Sequence, residues 1–367
     1  MTSVALRYIS LLLLRRVALV LLGFTALVQM FDLFGNADDI AERYGPGLGS
    51  VLMYLMYRLP ATVALVMPFS ILVGSLLTLL GMANNNEVMA FKAAGMSFYR
   101  LIFCLVPIGL VFAAFHFVVA DRIAPASLRA LAEKEVPYTV KRPGGATSTS
   151  TSSSKPAWIR DGGMIVRAGR VQRDGAVLAD VEIILRGQKG VMTQRRFARI
   201  AAFDTVTGIW TLTDVSALEI EGEERRIAKT PLQKWETKLR PSDFADLTVP
   251  PNQFTTSDLM TLSRTAGIGS RPIYVYQTWL HKRLALPALC LLMVLLAAPV
   301  SQASARSGGT ASRMTLGVGL GFLFFVSDGL STALGETGSL LPVLAAWAPV
   351  AIFASVGGSV LLRVEQV

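Results

Sequence analysis

Long apolar stretches without a single Asp, Glu, Lys or Arg occupy both ends of the chain. Four of them reach bilayer-spanning length: residues 59–86 (28 residues), 101–120 (20 residues), 284–305 (22 residues) and 337–362 (26 residues). A helix crosses a bilayer with about 20 apolar residues. Two shorter apolar runs are also expected to span. Residues 17–31 follow Arg15 and Arg16, whose long stems can reach the interface, and residues 314–327 can continue past Asp328 towards Gly335. The pattern therefore predicts six transmembrane helices.

The middle of the chain is polar and alternates with the period of a β-strand. The runs that show this alternation are residues 163–171, 176–185, 195–203, 208–215, 217–221 and 225–230. Short strands separated by turn sequences favour an antiparallel sandwich or roll, here a jellyroll-like domain. Within this region, residues 143–156 are rich in Ser, Thr and Gly and are expected to be a mobile loop. Residues 256–266 predict a short helix capped by Ser257.

The predicted fold class is thus a membrane α+β protein with an inserted antiparallel β domain. Helices 1–3 are expected in residues 1–120, the β domain in 121–271 and helices 4–6 in 272–367. Composition agrees, since 52% of the residues are hydrophobic and only 16% are charged, against about 25% charged in a soluble domain. The apolar N-terminal segment is interpreted as a permanent helix, because no cleavage site followed by a soluble chain is evident.

The short loops carry an asymmetric charge. With the N-terminus in the cytoplasm, the cytoplasmic segments hold Arg7, Arg15, Arg16, Lys92, Arg100, Arg306, Arg313 and Arg363, whereas the opposite short loops hold Arg43 and Arg58. Positive residues accumulate on the cytoplasmic side of membrane proteins. The sequence therefore predicts that both termini are cytoplasmic and that the β domain lies outside.

Several chemistries find no support in the sequence. There is no G-x-x-x-x-G-K-[ST] motif, so the chain is not expected to bind ATP or to be an enzyme. Cys104 and Cys290 both fall within predicted spans, and His116 and His281 are too few for a convincing metal site. No cofactor or metal is expected, and nucleic acid is not an expected partner.

A short amphipathic helix is predicted at about residues 84–96, in the loop between spans two and three. Asn residues precede Glu87, which suits the positive end of a helix, and Gly95 can end it. Such a helix either docks into a groove on a partner or lies at the membrane interface without one. The residues expected to make the contact are Glu87, Met89, Ala90, Phe91, Ala93, Ala94 and Gly95.

Four sequence stretches carry a resemblance to a known family. They are Glu87–Gly95 (EVMAFKAAG), His281–Pro287 (HKRLALP), Leu334–Glu336 (LGE) followed by Leu341–Pro342, and Ala345–Pro349 (AAWAP). Together with the order of spans, they resemble the LptF/LptG lipopolysaccharide export permeases, and the tail is nearer to the LptG branch. The resemblance implies a permease half of an ATP-driven ABC exporter that moves lipopolysaccharide out of the inner membrane to a periplasmic bridge.

The resemblance also implies partners and a lipid path. The expected partners are an LptF-like permease subunit, an LptB-like cytoplasmic ATPase dimer, a single-span LptC-like protein and lipopolysaccharide. Spans one and five would line the lipid cavity, with acyl chains against Phe24, Leu27, Met30, Phe31, Leu316, Leu323, Phe324 and Phe325. Head-group phosphates would meet Arg58, Lys282 and Arg283. Family members often carry Lys near the outer end of span one, where this chain has Gln29.

Two alternatives come from other functional classes. A secondary transporter of an amphiphile would need ionisable residues within the spans, and His116 and Asp328 are the nearest to such groups. A membrane-tethered assembly protein would act through its β domain alone. Co-purification of an ATPase would distinguish the exporter from both.

Overall fold

The structure is a computed structural model, and it divides the chain into two compact units. It describes residues 2–45, 47–95, 100, 103–132, 134, 138–141, 147–150, 157–161, 164–172, 175–186, 192–205, 207–221, 224–237, 239–245, 250–264, 271–302 and 310–364. The membrane unit comprises Met1–Ala41, Pro46–Glu133 and Gln277–Val367. The β unit comprises Glu42–Gly45 and Lys134–Tyr276.

Six helices are long and apolar enough to cross a membrane, which confirms the predicted number. TM1 is Thr2–Gly35, TM2 is Leu48–Asn84, TM4 is Ile273–Gln302, TM5 is Thr310–Glu336 and TM6 is Pro342–Val364. TM3 consists of Val106–Val118, the π-helical turn Val119–Ile123 and Ala124–Ala132. TM1 is longer than the predicted run of residues 17–31, because the helix includes Arg15 and Arg16 before the run and Asp32 after it.

Two short helices lie in the loops of the membrane unit. Helix α1 (Ala37–Tyr44) follows TM1 and buries Ile40. Helix α2 (Glu87–Ala93) lies between TM2 and TM3, inside the predicted range of residues 84–96. Asn86 precedes it in a left-handed conformation, with φ of 59°, and its carbonyl oxygen accepts the Ala90 N–H. Gly95 has φ of 81°, the conformation that commonly ends a helix.

The β unit contains an open six-stranded antiparallel sheet, not a barrel, which confirms the predicted antiparallel domain. Its strands are β3 (Ala157–Asp161), β4 (Met164–Gln172), β5 (Val177–Arg186), β6 (Met192–Asp204), β7 (Ile209–Glu221) and β8 (Glu224–Trp235). Within this sheet, each strand pairs with the strands that precede and follow it in the order β3-β4-β5-β6-β7-β8. The order is therefore a meander, whereas a jelly roll has Greek-key connections.

One row of residues across five strands of this sheet, called the crease here, departs from the regular pairing of the ladder. Asp180 and Asp214 have φ of 55° and 54°, and the register pairs the residues on either side but not those at the crease. The residues of this row are Gly169, Asp180, Arg199, Asp214 and Pro231. Alternation changes phase there, since Ala168 and Val171 are both buried although they are three residues apart.

The core of the β unit is built around Trp210. Its Nε1 donates to the Leu239 carbonyl oxygen at 2.8 Å, and its ring centroid lies 5.2 Å from Phe203 and 5.3 Å from Phe244. Phe244 belongs to helix α3 (Pro241–Ala245) and is fully buried. The aromatic cluster therefore packs the segment that follows β8 against one face of the sheet.

Two local expectations differ from the structure. Helix α4 (Thr256–Arg264) is capped by Thr255 rather than Ser257: the Thr255 Oγ1 accepts the Asp258 N–H, and the Asp258 carboxylate accepts the Thr255 N–H. Within the expected loop, Thr147–Ser150 forms strand β2 and pairs with β1, Tyr138–Lys141. Such a ladder uses backbone groups alone and needs no apolar side chains. Residues 142–146 and 151–156 lie outside the described part of the chain.

Candidate functional site

The candidate residues fall into two groups at opposite ends of the transmembrane helices. The insertion side is defined as the side where TM3 ends and TM4 begins, and it carries the predicted head-group cations. The terminal side is the side of both chain ends and of helix α2, and it carries the predicted partner contacts. The predicted acyl-chain residues lie along TM1 and TM5, and those of TM1 extend to Phe31, next to Asp32 at the insertion-side end.

Helix α2 presents small side chains outward and anchors itself with apolar ones. Ala90, Ala93 and Ala94 are exposed, as is Met89. Val88 is buried in the core of the membrane unit, and Phe91 is half-buried against the same core. The exposed part of the helix therefore carries mainly small side chains, which permit close approach of another chain.

Two TM1 residues reach the terminal end of TM2 and helix α2 through contacts that the sequence did not predict. The Tyr8 hydroxyl donates to Glu87 Oε2 at 3.1 Å. Arg16 donates to the Leu77 carbonyl oxygen, and its guanidinium occupies the space where a side chain on Gly81 would lie. These partners are 79 and 61 residues apart in sequence, so no local pattern signals them.

Most of the predicted acyl-chain residues are exposed on the single chain. Leu27, Met30 and Phe31 project from TM1, and Leu316 and Leu323 project from TM5. Phe24 and Phe325 are half-buried, and both contact Phe69 of TM2, at ring-centroid distances of 5.1 and 6.0 Å respectively. Phe69 thus joins TM1 and TM5 through two edge-to-face contacts, which are favourable ring geometries.

Phe324 differs from this group. It is fully buried, and its ring lies 5.2 Å from that of Phe353 on TM6 and 5.6 Å from that of Phe325. Phe324 points into the packing between TM5 and TM6, although the next residue in sequence, Phe325, is only half-buried. It therefore belongs to the helix core and does not lie on the exposed wall where the sequence analysis placed it.

The first predicted head-group cation, Arg58, forms an ion pair. Its Nε lies 3.0 Å from the Asp32 carboxylate, which also accepts the Tyr54 hydroxyl at 2.8 Å. Three residues along TM1, Gln29 donates through Nε2 to the Leu55 carbonyl oxygen at 3.1 Å. These contacts fasten the insertion-side ends of TM1 and TM2. Arg58 remains 39% exposed at its side chain, so it is the most accessible of the three cations.

The second cation, Lys282 on TM4, is held by TM5. Its Nζ lies 2.7 Å from the Asp328 carboxylate and 2.6 Å from the Thr332 hydroxyl, and it is 5.7 Å from the centre of the Trp279 ring. One turn further along, Trp279 Nε1 donates to Glu336 Oε1 at 2.6 Å. The acidic and hydroxyl groups of TM5 recur every four residues and so share one helix face, which meets TM4.

The third cation, Arg283, is buried. Its Nη1 donates to the Ala120 carbonyl oxygen at 2.7 Å, and its Nε lies 4.0 Å from the Asp121 carboxylate. The guanidinium therefore lies in the packing between TM3 and TM4, not at the membrane surface. All three predicted cations are thus next to a carboxylate, and a phosphate would have to compete with that carboxylate for each of them.

Three side-chain contacts in the membrane unit involve carbonyl oxygens that lack a backbone donor because of a proline. A proline at position i+4 cannot donate to the carbonyl of residue i, and in a π-turn the same holds at i+5. Pro68 leaves the Ala64 oxygen to His116 Nε2 at 3.0 Å, and Pro349 leaves the Ala345 oxygen to the Ser331 hydroxyl at 2.9 Å. In the π-turn, the Ala124 N–H donates to the Val119 carbonyl oxygen. The next donor would be Pro125, which has no N–H, so the Ala120 carbonyl oxygen accepts from Arg283 instead.

The two ionisable groups that an ion-coupled transporter would use are both engaged with other side chains. Asp328 pairs with Lys282, as described above. His116 Nε2 must carry the proton that it donates to a carbonyl, so Nδ1 accepts from the Cys290 thiol at 3.2 Å. Among the described residues no group of three or more His, Cys, Asp or Glu side chains could hold a metal ion.

Six membrane-crossing helices with a β domain inserted between the third and fourth define the class: a multi-pass membrane protein with a large extramembrane domain. The sequence model of one family, described as the lipopolysaccharide export system permease LptF/LptG, matches residues 7–363. The chain belongs to this family. The match covers all six spans and the β domain, so the residues that carried the resemblance are part of a similarity along nearly the whole chain.

Curated relatives agree with this membership. The chain is 22% identical over 341 residues to the lipopolysaccharide export system permease protein LptG of Escherichia coli strain K12, and the similarity covers 92% of each chain. It is also 22% identical over 320 residues to the LptG protein of Haemophilus influenzae strain Rd, covering 86% of this chain and 85% of that one. Both relatives carry the name of the LptG branch.

Proposed function

We propose that this chain is a permease subunit that exports lipopolysaccharide, nearer in kind to LptG than to LptF. The observation that carries the proposal is the family match over residues 7–363, which includes the loop helix, the spans and the β domain together. The LptG names of the curated relatives support the same branch.

The proposed partners follow from the family and from the exposed surfaces. An LptF-like subunit would complete the cavity against the exposed faces of TM1 and TM5. An LptB-like ATPase dimer would supply the energy, since the permease is proposed to carry no ATPase site of its own. A single-span LptC-like protein would complete the complex. The proposed location is the bacterial inner membrane, with the termini in the cytoplasm and the β unit in the periplasm, as the charge of the short loops indicates.

The mechanism begins with acyl chains against the wall formed by Leu27, Met30 and Phe31 of TM1 and by Leu316 and Leu323 of TM5. Burying each CH₂ group there is worth roughly 0.8 kcal/mol when the alternative is water. A lipid with many chains therefore cannot leave the membrane spontaneously, and its release must be driven. Arg58, the most exposed of the three cations, is the proposed phosphate contact, in competition with Asp32.

Helix α2 is proposed to receive the ATPase. Its exposed Ala90, Ala93 and Ala94 allow a groove to approach closely, Met89 supplies apolar contact, and Glu87 offers a carboxylate to a basic residue of the partner. Gly95, with its positive φ, ends the helix. Val88 and Phe91 pack against the core of the membrane unit, so that a displacement of α2 by the ATPase would be transmitted to the spans.

The test is reconstitution of the chain with its proposed partners in liposomes that contain lipopolysaccharide. ATP-dependent release of lipid to a soluble acceptor is expected. Glu87→Lys places like charges together, and Ala93→Trp blocks close approach, so each is expected to reduce ATPase recovery by roughly tenfold or more. Glu236→Lys and Ala202→Trp are matched changes at exposed positions of the β unit and are expected to be neutral. Normal recovery and release in both α2 variants would contradict the proposal.

A further inference from the structure

TM1 runs antiparallel to TM2 and continues past its end onto helix α2. Three contacts follow one another along the terminal half of TM1. At Gly74 a side chain would collide with Val17, at Leu77 the carbonyl accepts from Arg16, and at Glu87 the carboxylate accepts from Tyr8. TM1 is therefore fastened to TM2 and, beyond the turn at residues 84–86, to α2 itself.

Tyr8 is the outermost of these contacts, and it joins TM1 to the helix that is proposed to receive the ATPase. The side chain is 46% exposed, so it contributes little to the packed core. Ile9, next to it in sequence, is fully buried in the same core cluster as Val88 of α2. The hydroxyl therefore bonds α2 beside a core cluster to which both helices contribute, and this hydrogen bond links one helix to the other.

We propose that Tyr8 is a positioning residue, which holds Glu87 and links movement of helix α2 to TM1. The inference rests on the proposed function, because it assigns a transmission route to the same loop. A carboxylate has acceptor capacity for several donors, so Glu87 can hold the Tyr8 hydroxyl and meet a basic residue of the ATPase at the same time. Displacement of α2 then acts on TM1 directly as well as through TM2.

The route continues along TM1 to the proposed lipid wall. TM1 is one helix from Thr2 to Gly35, so movement at Tyr8 is carried along its axis to Phe24. Phe24 contacts Phe69, and Phe69 contacts Phe325 of TM5. Both helices that carry the acyl-chain residues are thereby connected to α2. TM1 is connected by its own backbone, and TM5 through the ring of Phe69.

Tyr8→Phe tests the proposal because it removes one oxygen and keeps the ring. The variant is compared with the unaltered chain in the reconstituted complex, measuring ATPase recovery and lipid released per ATP hydrolysed. Recovery is expected to be unchanged, and release per ATP is expected to fall about threefold, in line with loss of one exposed hydrogen bond. Amide hydrogen exchange in α2 is expected to become faster. In a Glu87→Ala background, Tyr8→Phe is expected to have no further effect.

The outcomes separate this proposal from the function on which it rests. If the unaltered chain recruits no ATPase and releases no lipid, the proposed function is wrong. If the unaltered chain is active and Tyr8→Phe releases the same amount of lipid per ATP, Tyr8 does not transmit movement, whatever happens to exchange in α2. A parallel loss of ATPase recovery would place Tyr8 in docking instead, and an added effect in the Glu87→Ala background would show that it acts elsewhere; both overturn the inference.

Discussion

Arg283 of TM4 donates to the carbonyl oxygen of Ala120 in TM3, an atom that its own helix cannot satisfy. The π-turn shifts the hydrogen-bond pattern by one residue, and the donor that should follow belongs to Pro125, which has no N–H. A backbone oxygen without a donor is costly inside a membrane, where water is not available to replace it. The arginine was expected to meet lipid phosphates, but the structure gives it a role in helix packing.

Removing this donor should destabilise the membrane unit. Arg283→Met is expected to lower the free energy of unfolding by about 1–3 kcal/mol, the usual cost of a buried acceptor that loses its donor. Arg283→Lys keeps a cationic donor and is expected to lose less. Denaturant unfolding in detergent micelles measures both. Equal stability of Arg283→Met and the unaltered chain would show that the Ala120 oxygen finds another donor.

His116 and Pro68 should show a coupled effect. His116→Phe removes the donor to the Ala64 oxygen and is expected to cost about 1–3 kcal/mol of stability. In a Pro68→Ala background, residue 68 has an N–H of its own that can serve that oxygen. The cost of His116→Phe should therefore be smaller in this background.

A double-mutant cycle of these two positions, measured by unfolding in detergent, gives the coupling energy directly. Additive effects of the two changes would mean that His116 is held by its packing and by Cys290 rather than by the proline-freed oxygen. Ser331 and Pro349 form the same arrangement between TM5 and TM6 and provide an internal repeat of the experiment.

The composition and the hydrophobic periodicity of the sequence were sufficient to predict the architecture. They did not predict which residues of different helices contact each other. Six spans and an alternating β domain follow from local patterns, because apolar length and strand alternation are written into consecutive residues. Lys282 and Asp328 are 46 residues apart, and their pairing depends on how TM4 and TM5 lie together. The prolines were a usable signal: each frees a carbonyl at a known position, and a polar side chain on another span is the expected donor.

The same limit explains the mixed outcome at the proposed lipid wall. Leu27 and Phe31 are exposed and Phe324 is buried, although all three are apolar residues within spans. In a membrane, both the lipid-facing and the core-facing sides of a helix are apolar, so hydrophobicity does not tell one from the other. Only the neighbouring helix, here TM6 with Phe353, decides which side is covered.

The proposed orientation can be tested with single cysteines. Thr193 in the β unit and Met89 in α2 are exposed, so Thr193→Cys should react with an impermeant maleimide from the periplasm, and Met89→Cys only after the inner membrane is opened. The native Cys104 and Cys290 are buried, and burial raises the pKa of the Cys104 thiol, which keeps background labelling low. Reaction of Thr193→Cys only after inner-membrane opening would reverse the proposed topology.

Arg58 and Asp32 should act in opposite directions on lipid binding. If Arg58 contacts a phosphate, Arg58→Gln removes the contact, whereas Asp32→Asn removes the carboxylate that competes for it. Lipopolysaccharide retention by the purified complex is expected to fall in the first variant and to rise in the second, each by roughly two- to tenfold. A fall in both would indicate that the pair serves only to fasten TM1 to TM2.

Two glycines in the spans offer a matched comparison for the TM1–TM2 contact. A Cβ on Gly74 would lie 2.5 Å from Val17 Cγ2 and 2.8 Å from its Cα, so Gly74→Ala must push the two helices apart. Gly23 on TM1 has nothing within 4 Å of the same added atom, and alanine suits a helix better than glycine by about 0.5–1 kcal/mol. Gly23→Ala should therefore leave stability unchanged or raise it.

Leu77, whose carbonyl oxygen accepts from Arg16, lies three residues after Gly74, so the separation caused by Gly74→Ala should spread along TM2 towards α2. Amide hydrogen exchange is expected to accelerate in residues 74–94 in this variant and to stay unchanged there in Gly23→Ala. The backbone of Val17 is part of the predicted clash, so a smaller side chain at residue 17 should restore protection only partly. Full restoration by Val17→Ala would mean that the close approach of the two backbones is not what holds TM1 against TM2.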